Sequence, residues 1–370
     1  MSNNLLNSGS GLLRYVLGRL IRCDLMLVSL VMTLSTIGFI TLFSAGYSFP
    51  WRIEDQLRNI LVAGTVMLLF AMIPIRLLKK VSLPIFLAGC LLLLATHFFG
   101  VTVKGATRWL NVGIRIQPSE IMKLGVPLML AWYYHVRGEH VAWWDHIVAF
   151  LFLAVPVGFI LKQPDLGTAV LVAIAGFSVI FFAGLNWKVI ALGVTGVLVS
   201  LPFVWNFLYD YQRERILTLI DPTNDPLGRG FHTLQSLIAI GSGGVFGKGW
   251  MEGTQAHLDF IPERTSDFLF AVFSEEFGFV GNIVLLVLYT LLIGRSFFIA
   301  ATASSRFARL LSASIGVIFF TYTFVNMGMV SGILPVVGVP LPFMSYGGTA
   351  LLILGMCSGI LLSVGIDSEA

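Results

Sequence analysis

Phe260-Ile261-Pro262-Glu263-Arg264-Thr265-Ser266-Asp267-Phe268-Leu269-Phe270 closes the one long polar segment of an otherwise hydrocarbon-rich chain. Within these residues an aqueous loop runs into an apolar helix. The junction therefore divides the chain into water-facing and lipid-facing parts. Asp267 falls on it. A carboxylate at the edge of hydrocarbon is costly, so such a residue is by default a functional candidate.

Outward from that junction, apolar runs dominate. Of 370 residues, 57% are hydrophobic and 11% charged, with a mean hydropathy of +0.89. Soluble domains carry about 25% charged residues. The composition thus predicts an all-α, polytopic integral membrane protein, folded as a single membrane domain over residues 1–370. The net charge of +4 is small and dispersed and gives no ground for a nucleic-acid partner. Cys23, Cys90 and Cys357 show neither a disulfide framework nor zinc spacing, and the six histidines are scattered.

A spanning helix needs about 20 apolar residues. Ten stretches qualify: 25–45, 58–76, 81–99, 119–136, 145–162, 166–185, 188–209, 267–294, 307–330 and 346–366. The first is too long for a signal-peptide core and has no clear small-residue cleavage site. An even number puts both termini on one side. Arg14, Arg19, Arg22, Arg76, Lys79, Lys80, Arg137, Lys188, Arg295, Arg306 and Arg309 share that side. Only Arg52, Arg58, Lys104, Arg108, Arg115 and Lys162 lie in the opposite short loops. The basic excess makes both termini cytoplasmic. Residues 210–266 then form a long extracytoplasmic loop between helices seven and eight. Residues 1–24 repeat Leu12, Leu13, Val16, Leu17, Leu20 and Ile21 at helical spacing among arginines. They are expected as a basic amphipathic cytoplasmic segment on an anionic surface, with a disordered tail as the alternative.

The outer face then collects the unusual chemistry. Glu120 and Lys123, three residues apart, share a helix face. They are either a structural ion pair or a binding pair lining an outward cavity. Asp165 either caps the helix that follows it or joins them. Arg108, Arg115, Lys248 and Arg264 add cations on the same side. The Gly241-Ser242-Gly243-Gly244 and Gly247-Lys248-Gly249 run suits close backbone approach to a phosphate or sugar, and equally a linker. Phe231 to Ile240 reads as a short amphipathic helix. Asp267 has its own plain reading as a cap or first-turn acid. Glu275 and Glu276 lie two to three turns deeper, about 12–14 Å at 1.5 Å per residue. They are expected as interior hydrogen-bonders, and less readily as a proton path.

Several of these stretches form an ordered set: Lys104-Gly105-Ala106-Thr107-Arg108-Trp109, Gln117-Pro118-Ser119-Glu120, Gln163-Pro164-Asp165-Leu166-Gly167-Thr168, Asp221-Pro222 with Asp225-Pro226, Pro262 to Phe268, and Gly338 to Gly348. The set resembles the SEDS family of shape, elongation, division and sporulation proteins, over almost the whole chain. The Gly-Ser-Gly-Gly, Gly-Lys-Gly-Trp and Gly253-Thr254-Gln255 elements are similar to its elongation members rather than its division members.

The resemblance implies a ten-helix peptidoglycan glycosyltransferase polymerising lipid II into a glycan strand on the outer face of the bacterial cytoplasmic membrane. It implies a partner, a class B penicillin-binding protein transpeptidase, within the rod-shape elongation complex. The family's essential aspartate corresponds to Asp267, and Glu120, Lys123 and Asp165 match positions around the same cavity. No cofactor follows from the spacing. A divalent cation could share the pyrophosphate charge, but no ligand set is readable. Two rival readings fit ten helices: a lipid II flippase, for which the Glu275–Glu276 pair speaks, and a non-catalytic scaffold that activates the transpeptidase.

Overall fold

The structure is a computed structural model that describes residues 18–19, 21–103, 106–111, 115–207, 213–214, 217, 229–258, 260–261 and 263–368. Most of the expected 1–24 segment, much of the 210–266 loop and the Asp221-Pro222 and Asp225-Pro226 motifs lie outside the described residues. The elements are α1 (Leu25–Ala45), α2 (Pro50–Met72), α3 (Ile75–Phe99), β1 (Val101–Val103), β2 (Ala106–Asn111), β3 (Arg115–Ile116), α4 (Pro118–Arg137), α5 (Trp143–Lys162) and α6 (Leu166–Phe182). There follow α7 (Trp187–Phe207), α8 (Arg229–Ser242), α9 (Thr254–His257), α10 (Leu269–Thr302), α11 (Arg306–Val330) and α12 (Gly348–Ser368). Each of the ten expected stretches falls on a helix. Among the described residues seven helices are long and apolar enough to cross a membrane. The protein is an integral membrane protein.

Local chemistry sets the helix starts. Asp24 caps α1 by accepting from the Leu27 amide at 3.0 Å, and Ser305 caps α11 through the Ala308 amide at 3.2 Å. Pro50 and Pro118 open α2 and α4, where a missing N–H costs nothing. The polar opening of α2, with Arg52, Glu54, Asp55 and Arg58, explains why hydropathy alone starts that span late, at 58.

In the packed bundle α12 runs along α2, α10 along α11 and α3 along α4, while α6 touches α4, α5 and α11. Gly355 and Gly359 of α12 lie against the Ala63 and Met67 carbonyls of α2, where a Cβ would collide. Small residues of this kind let membrane helices approach closely. The centre of the bundle is α11 and α12, each with 78% of its apolar window buried.

The two ends of the bundle differ. At one end Arg19 pairs with Asp367 at 2.8 Å, Asp367 also accepts from the Ile75 amide at 3.1 Å, and Arg295 pairs with Asp24 at 2.7 Å. The described N-terminal and C-terminal residues therefore meet there. The other end carries the strands, α8, α9, and the turns 263–268 and 331–348. The antiparallel sheet β1-β2-β3 stands where the sequence reads only as a loop. Its strands are two to six residues long, too short for a period-two pattern to register.

The structure bears out Glu275 and Glu276 as interior hydrogen-bonders and sets their level against α1. With 34 residues, α10 would extend about 51 Å at 1.5 Å per residue. That exceeds a hydrocarbon core of about 30 Å. The helix is broken at Gly278, with φ 66° and ψ −161°. Alongside it, α1 alone matches the core thickness with 21 residues, about 31 Å. Ser44, at one end of α1, donates to Glu276, whereas Asp24, at the other end, holds Arg295. The two glutamates therefore lie at the membrane boundary rather than inside it. The break hid from sequence reasoning because Phe277-Gly278-Phe279-Val280 continues an apolar run.

Candidate functional site

Asp267 sits half-buried in the turn 263–268, just before α10. The helix N-cap is Phe268, with no side-chain capping bond, and no acid lies in the first turn. Asp267 thus stands one residue before the N-cap. Its own carbonyl is fixed by Asn326, whose Nδ2 donates to it at 2.9 Å and to the Val339 carbonyl at 2.7 Å. Its carboxylate lies beside Gly338: a Cβ there would stand 3.4 Å from Asp267 Oδ2, and φ at Gly338 is 73°. Glycine serves both the close approach and the left-handed backbone.

The segment 331–348 connects Asp267 to the other candidates. Gly167, near the start of α6, packs against the Val337 carbonyl. Asp165 caps α6 through the Thr168 amide at 3.2 Å. It also accepts from Gln117 at 3.3 Å and pairs with Arg108 at 3.6 Å. Arg108, on β2, donates to the Pro164 carbonyl at 2.8 Å. Asp165 therefore caps α6 and faces a cation at once. On α4, Lys123 Nζ donates to Glu120 Oε1 at 2.5 Å and to Tyr322 Oη at 2.6 Å, and all three residues are buried. Tyr322 and Asn326 are one turn apart on α11, about 6 Å along the axis. One face of α11 thus reaches from the Glu120–Lys123 pair to the peptide of Asp267. Glu120 and Gln117 also line the polar end of an apolar groove of about 500 Å³ between α2, α3, α4 and α12.

Two candidates point elsewhere. Lys248 Nζ donates to Glu275 Oε1 at 2.7 Å and to Thr254 Oγ1 at 2.9 Å. Arg264 is buried, donates from Nε to the Ala45 carbonyl at 2.7 Å and lies over the Phe49 ring. It thereby serves one of the carbonyls left open at the end of α1. The side chain of Arg115 lies outside the described residues. The glycine run has a third role, neither linker nor anion cradle. Lys248 and Gly249 amides donate to the Glu275 and Glu276 carbonyls at 3.0 and 3.1 Å. Phe279 and Val280 amides donate to Gly244 and Val245 at 2.9 and 3.0 Å. The loop re-enters to satisfy the peptides opened by the break at Gly278.

Sequence reasoning missed several residues beside Asp267. Asn326 is one, read only as part of an apolar span. Arg52, Asp55 and Asn59 lie on one face of α2 against Thr265, Tyr346 and Gly348. Their spacing of three and four was the available signal. His232 of α8 stacks on Phe268 with centroids 5.8 Å apart. Burial pushes its imidazole below the usual histidine range, and Glu263 opposes this. Burial pushes the Tyr346 phenol up, with Asp55 adding to it. Among the described residues no three His, Cys, Asp or Glu side chains converge to hold a metal ion.

Comparison with known proteins follows the same residues. The sequence profile of the family described as "Cell cycle protein" (FtsW, RodA, SpoVE) matches residues 17–369. The peptidoglycan glycosyltransferase MrdB of Escherichia coli K12 is 43% identical over 346 residues, 93% of this chain and 94% of that one. MrdB of Helicobacter pylori is 37% identical, over 75% of this chain and 74% of its own. Among solved structures, the rod shape determining protein RodA of Thermus thermophilus aligns with a TM-score of 0.71 at 29% identity, covering 94% of this chain and 98% of its own. A chain from a peptidoglycan synthase complex, in work on the coordination of polymerization and crosslinking, aligns with a TM-score of 0.81 at 32% identity over 94% and 98%. With a profile match from end to end and relatives that share the whole bundle, the chain belongs to the FtsW/RodA/SpoVE family of cell cycle proteins.

Proposed function

We propose that this chain is a peptidoglycan glycosyltransferase that polymerises lipid II at the outer face of the bacterial cytoplasmic membrane during cell elongation. In this reading ten helices of a single membrane domain cross the bilayer. Both termini are cytoplasmic, and 210–266 is the extracytoplasmic loop. A class B penicillin-binding protein of the rod-shape elongation complex is the crosslinking partner. Two things support it: relatives named peptidoglycan glycosyltransferase over nearly the full chain, and a synthase-complex chain of the same fold.

The observation that carries the chemistry is the setting of Asp267. Its carboxylate stands at the membrane boundary beside Gly338, on a peptide held by Asn326. The donor's anomeric carbon bears a pyrophosphate, already a competent leaving group. The acceptor's sugar hydroxyl is a weak nucleophile. Asp267 takes the hydroxyl proton as the oxygen–carbon bond forms and the carbon–pyrophosphate bond breaks. A positioned base is worth about 10²–10⁴-fold. One inversion converts an α-linked donor into a β-linked product, so no covalent intermediate is needed. Glu120, Lys123 and Asp165, with Arg108, orient the polar headgroup. The apolar groove below Gln117 and Glu120 has the polarity to take a lipid chain. Arg115, Lys248 and Arg264 are the further binding candidates on this side, and Lys248 and Arg264 also hold internal partners, Glu275 and the Ala45 carbonyl.

The flippase reading drew on acids within the membrane, and Glu275 and Glu276 lie at its boundary instead. The test is polymerisation of purified lipid II by the reconstituted protein, wild type beside Asp267→Asn. The reading requires polymer from the wild type and a loss of at least about 100-fold in the variant. Equal polymer from both removes Asp267 from the mechanism, and translocation without polymer restores the flippase.

A further inference from the structure

The cations expected to meet a pyrophosphate are engaged by protein groups: Lys123 by Glu120 and Tyr322, Lys248 by Glu275, Arg264 by Ala45, Arg108 by Asp165. Arg52, in the first turn of α2, is arranged differently. Its Nη1 donates to Thr265 Oγ1 at 2.5 Å, two residues before Asp267. Its Nε is buried and has no hydrogen-bond partner, as is also true of Arg108 Nε; Arg108 nonetheless faces Asp165, whereas Arg52 pairs with no carboxylate among the described residues. The nearby carboxylate, Asp55, pairs instead with Arg58 at 2.8 Å. The rings of Phe49, Trp51 and Tyr346 lie 5.0, 5.2 and 5.9 Å from the guanidinium carbon. The Tyr346 amide in turn donates to the Thr265 carbonyl at 2.9 Å. Arg52, Thr265 and Tyr346 therefore form one corner, tied to the turn that carries Asp267.

A guanidinium presents five donors in a planar fork that matches phosphate oxygens. Here one of them is used within the protein. Aromatic rings shield the cation from water without neutralising it, which strengthens its attraction for an anion. A buried donor left unpaired is unfavourable until a ligand supplies an acceptor.

We propose that Arg52 binds the pyrophosphate of the lipid-linked donor sugar, its fork completed by phosphate oxygens when substrate lies beside Asp267. The proposal rests on the glycosyltransferase reading, which supplies the pyrophosphate. Arg52 is thus a binding residue; the Thr265 contact ties it to the turn of Asp267, while the rings of Phe49, Trp51 and Tyr346 keep its side chain in place without that contact.

The test uses the full-length protein in lipid nanodiscs and inorganic pyrophosphate as the probe, read by titration calorimetry. Arg52→Gln is expected to weaken pyrophosphate at least about tenfold, and Arg52→Lys about threefold, since charge remains and the fork is lost. Thr265→Val removes the same internal hydrogen bond and is expected to stay within about twofold. In turnover, Arg52→Gln raises KM for lipid II more than it lowers kcat. Equal weakening by Arg52→Gln and Thr265→Val would make Arg52 a mere staple and overturn the proposal. So would wild-type affinity in Arg52→Gln. Should that variant fail to fold, Arg52→Lys decides, unchanged affinity again being the overturning result. The probe needs no turnover, so a wild type that binds pyrophosphate yet makes no polymer would remove the glycosyltransferase reading alone.

Discussion

Asp267 and Glu275 lie about 12 Å apart along one stretch of chain, both near the membrane boundary, in very different company. Glu275 is fully buried and accepts from Lys248 Nζ, Thr254 Oγ1 and the Gln255 amide at 2.7–3.2 Å. Its neighbour Glu276 accepts from Ser44 and the Met251 amide. Together they clamp the re-entrant loop against the break in α10. Asp267 is half-buried, and Asn326 holds its peptide. On the proposed reading one of these acids acts on substrate and the other holds the fold together. The two roles differ in what removal of the carboxylate should cost: stability for the clamp, turnover for the proposed base.

That contrast can be broken at several points. The largest effect belongs to Asp267→Asn, which should lower polymerisation at least about 100-fold while leaving the thermal unfolding midpoint in detergent nearly unchanged. A large fall in that midpoint would place Asp267 with the clamps. Glu275→Ala should do the reverse. It leaves Lys248, Thr254 and the Gln255 amide without their acceptor and should destabilise the protein by about 2–3 kcal/mol in denaturation measurements. Specific activity of the folded fraction should be retained, and a selective loss of kcat would give Glu275 a chemical role. Gly278→Ala should cost about 1–3 kcal/mol, because φ is 66° and a Cβ would strike the backbone of Gly247. Resistance of the 243–254 loop to proteolysis should fall with it.

The smallest effect concerns pH. His232 has its pKa lowered in the folded protein, first by burial, with Glu263 opposing. The unfolded chain therefore binds more protons between the folded value and the usual value of about 6.5. Stability is then fully present above about pH 6.5 and declines as pH falls through that window. Unfolding midpoints measured across it should slope downward toward acid in the wild type and less steeply in His232→Gln. Identical slopes would show that this imidazole is not felt by folding.

The long apolar runs made the membrane-spanning helices legible, since their length is dictated by the bilayer rather than by any partner. Asp165 as a cap was legible because a cap acts on amides two or three residues away. The Glu120–Lys123 pair was legible for the same reason, both ends of the interaction lying on one turn. The roles of Lys248 and Arg264 were not. Glu275 and Ala45 lie 27 and 219 residues from them, and no local pattern encodes such a meeting. Arg52 was counted only as a topological charge, because its importance depends on Thr265, 213 residues away. The loop between Gly243 and Gly249 offered exposed amides on paper. Only the fold shows that the peptides opposite Gly278 have already claimed them.

The Arg19–Asp367 contact has a consequence for how the molecule is made. Arg19 leaves the ribosome 348 residues before its counter-ion, and the opening amide of α3 leaves 292 residues before the same carboxylate. While translation continues, the early helices wait in the lipid with that corner open. The bundle can close at this edge only once α12 has been threaded into place.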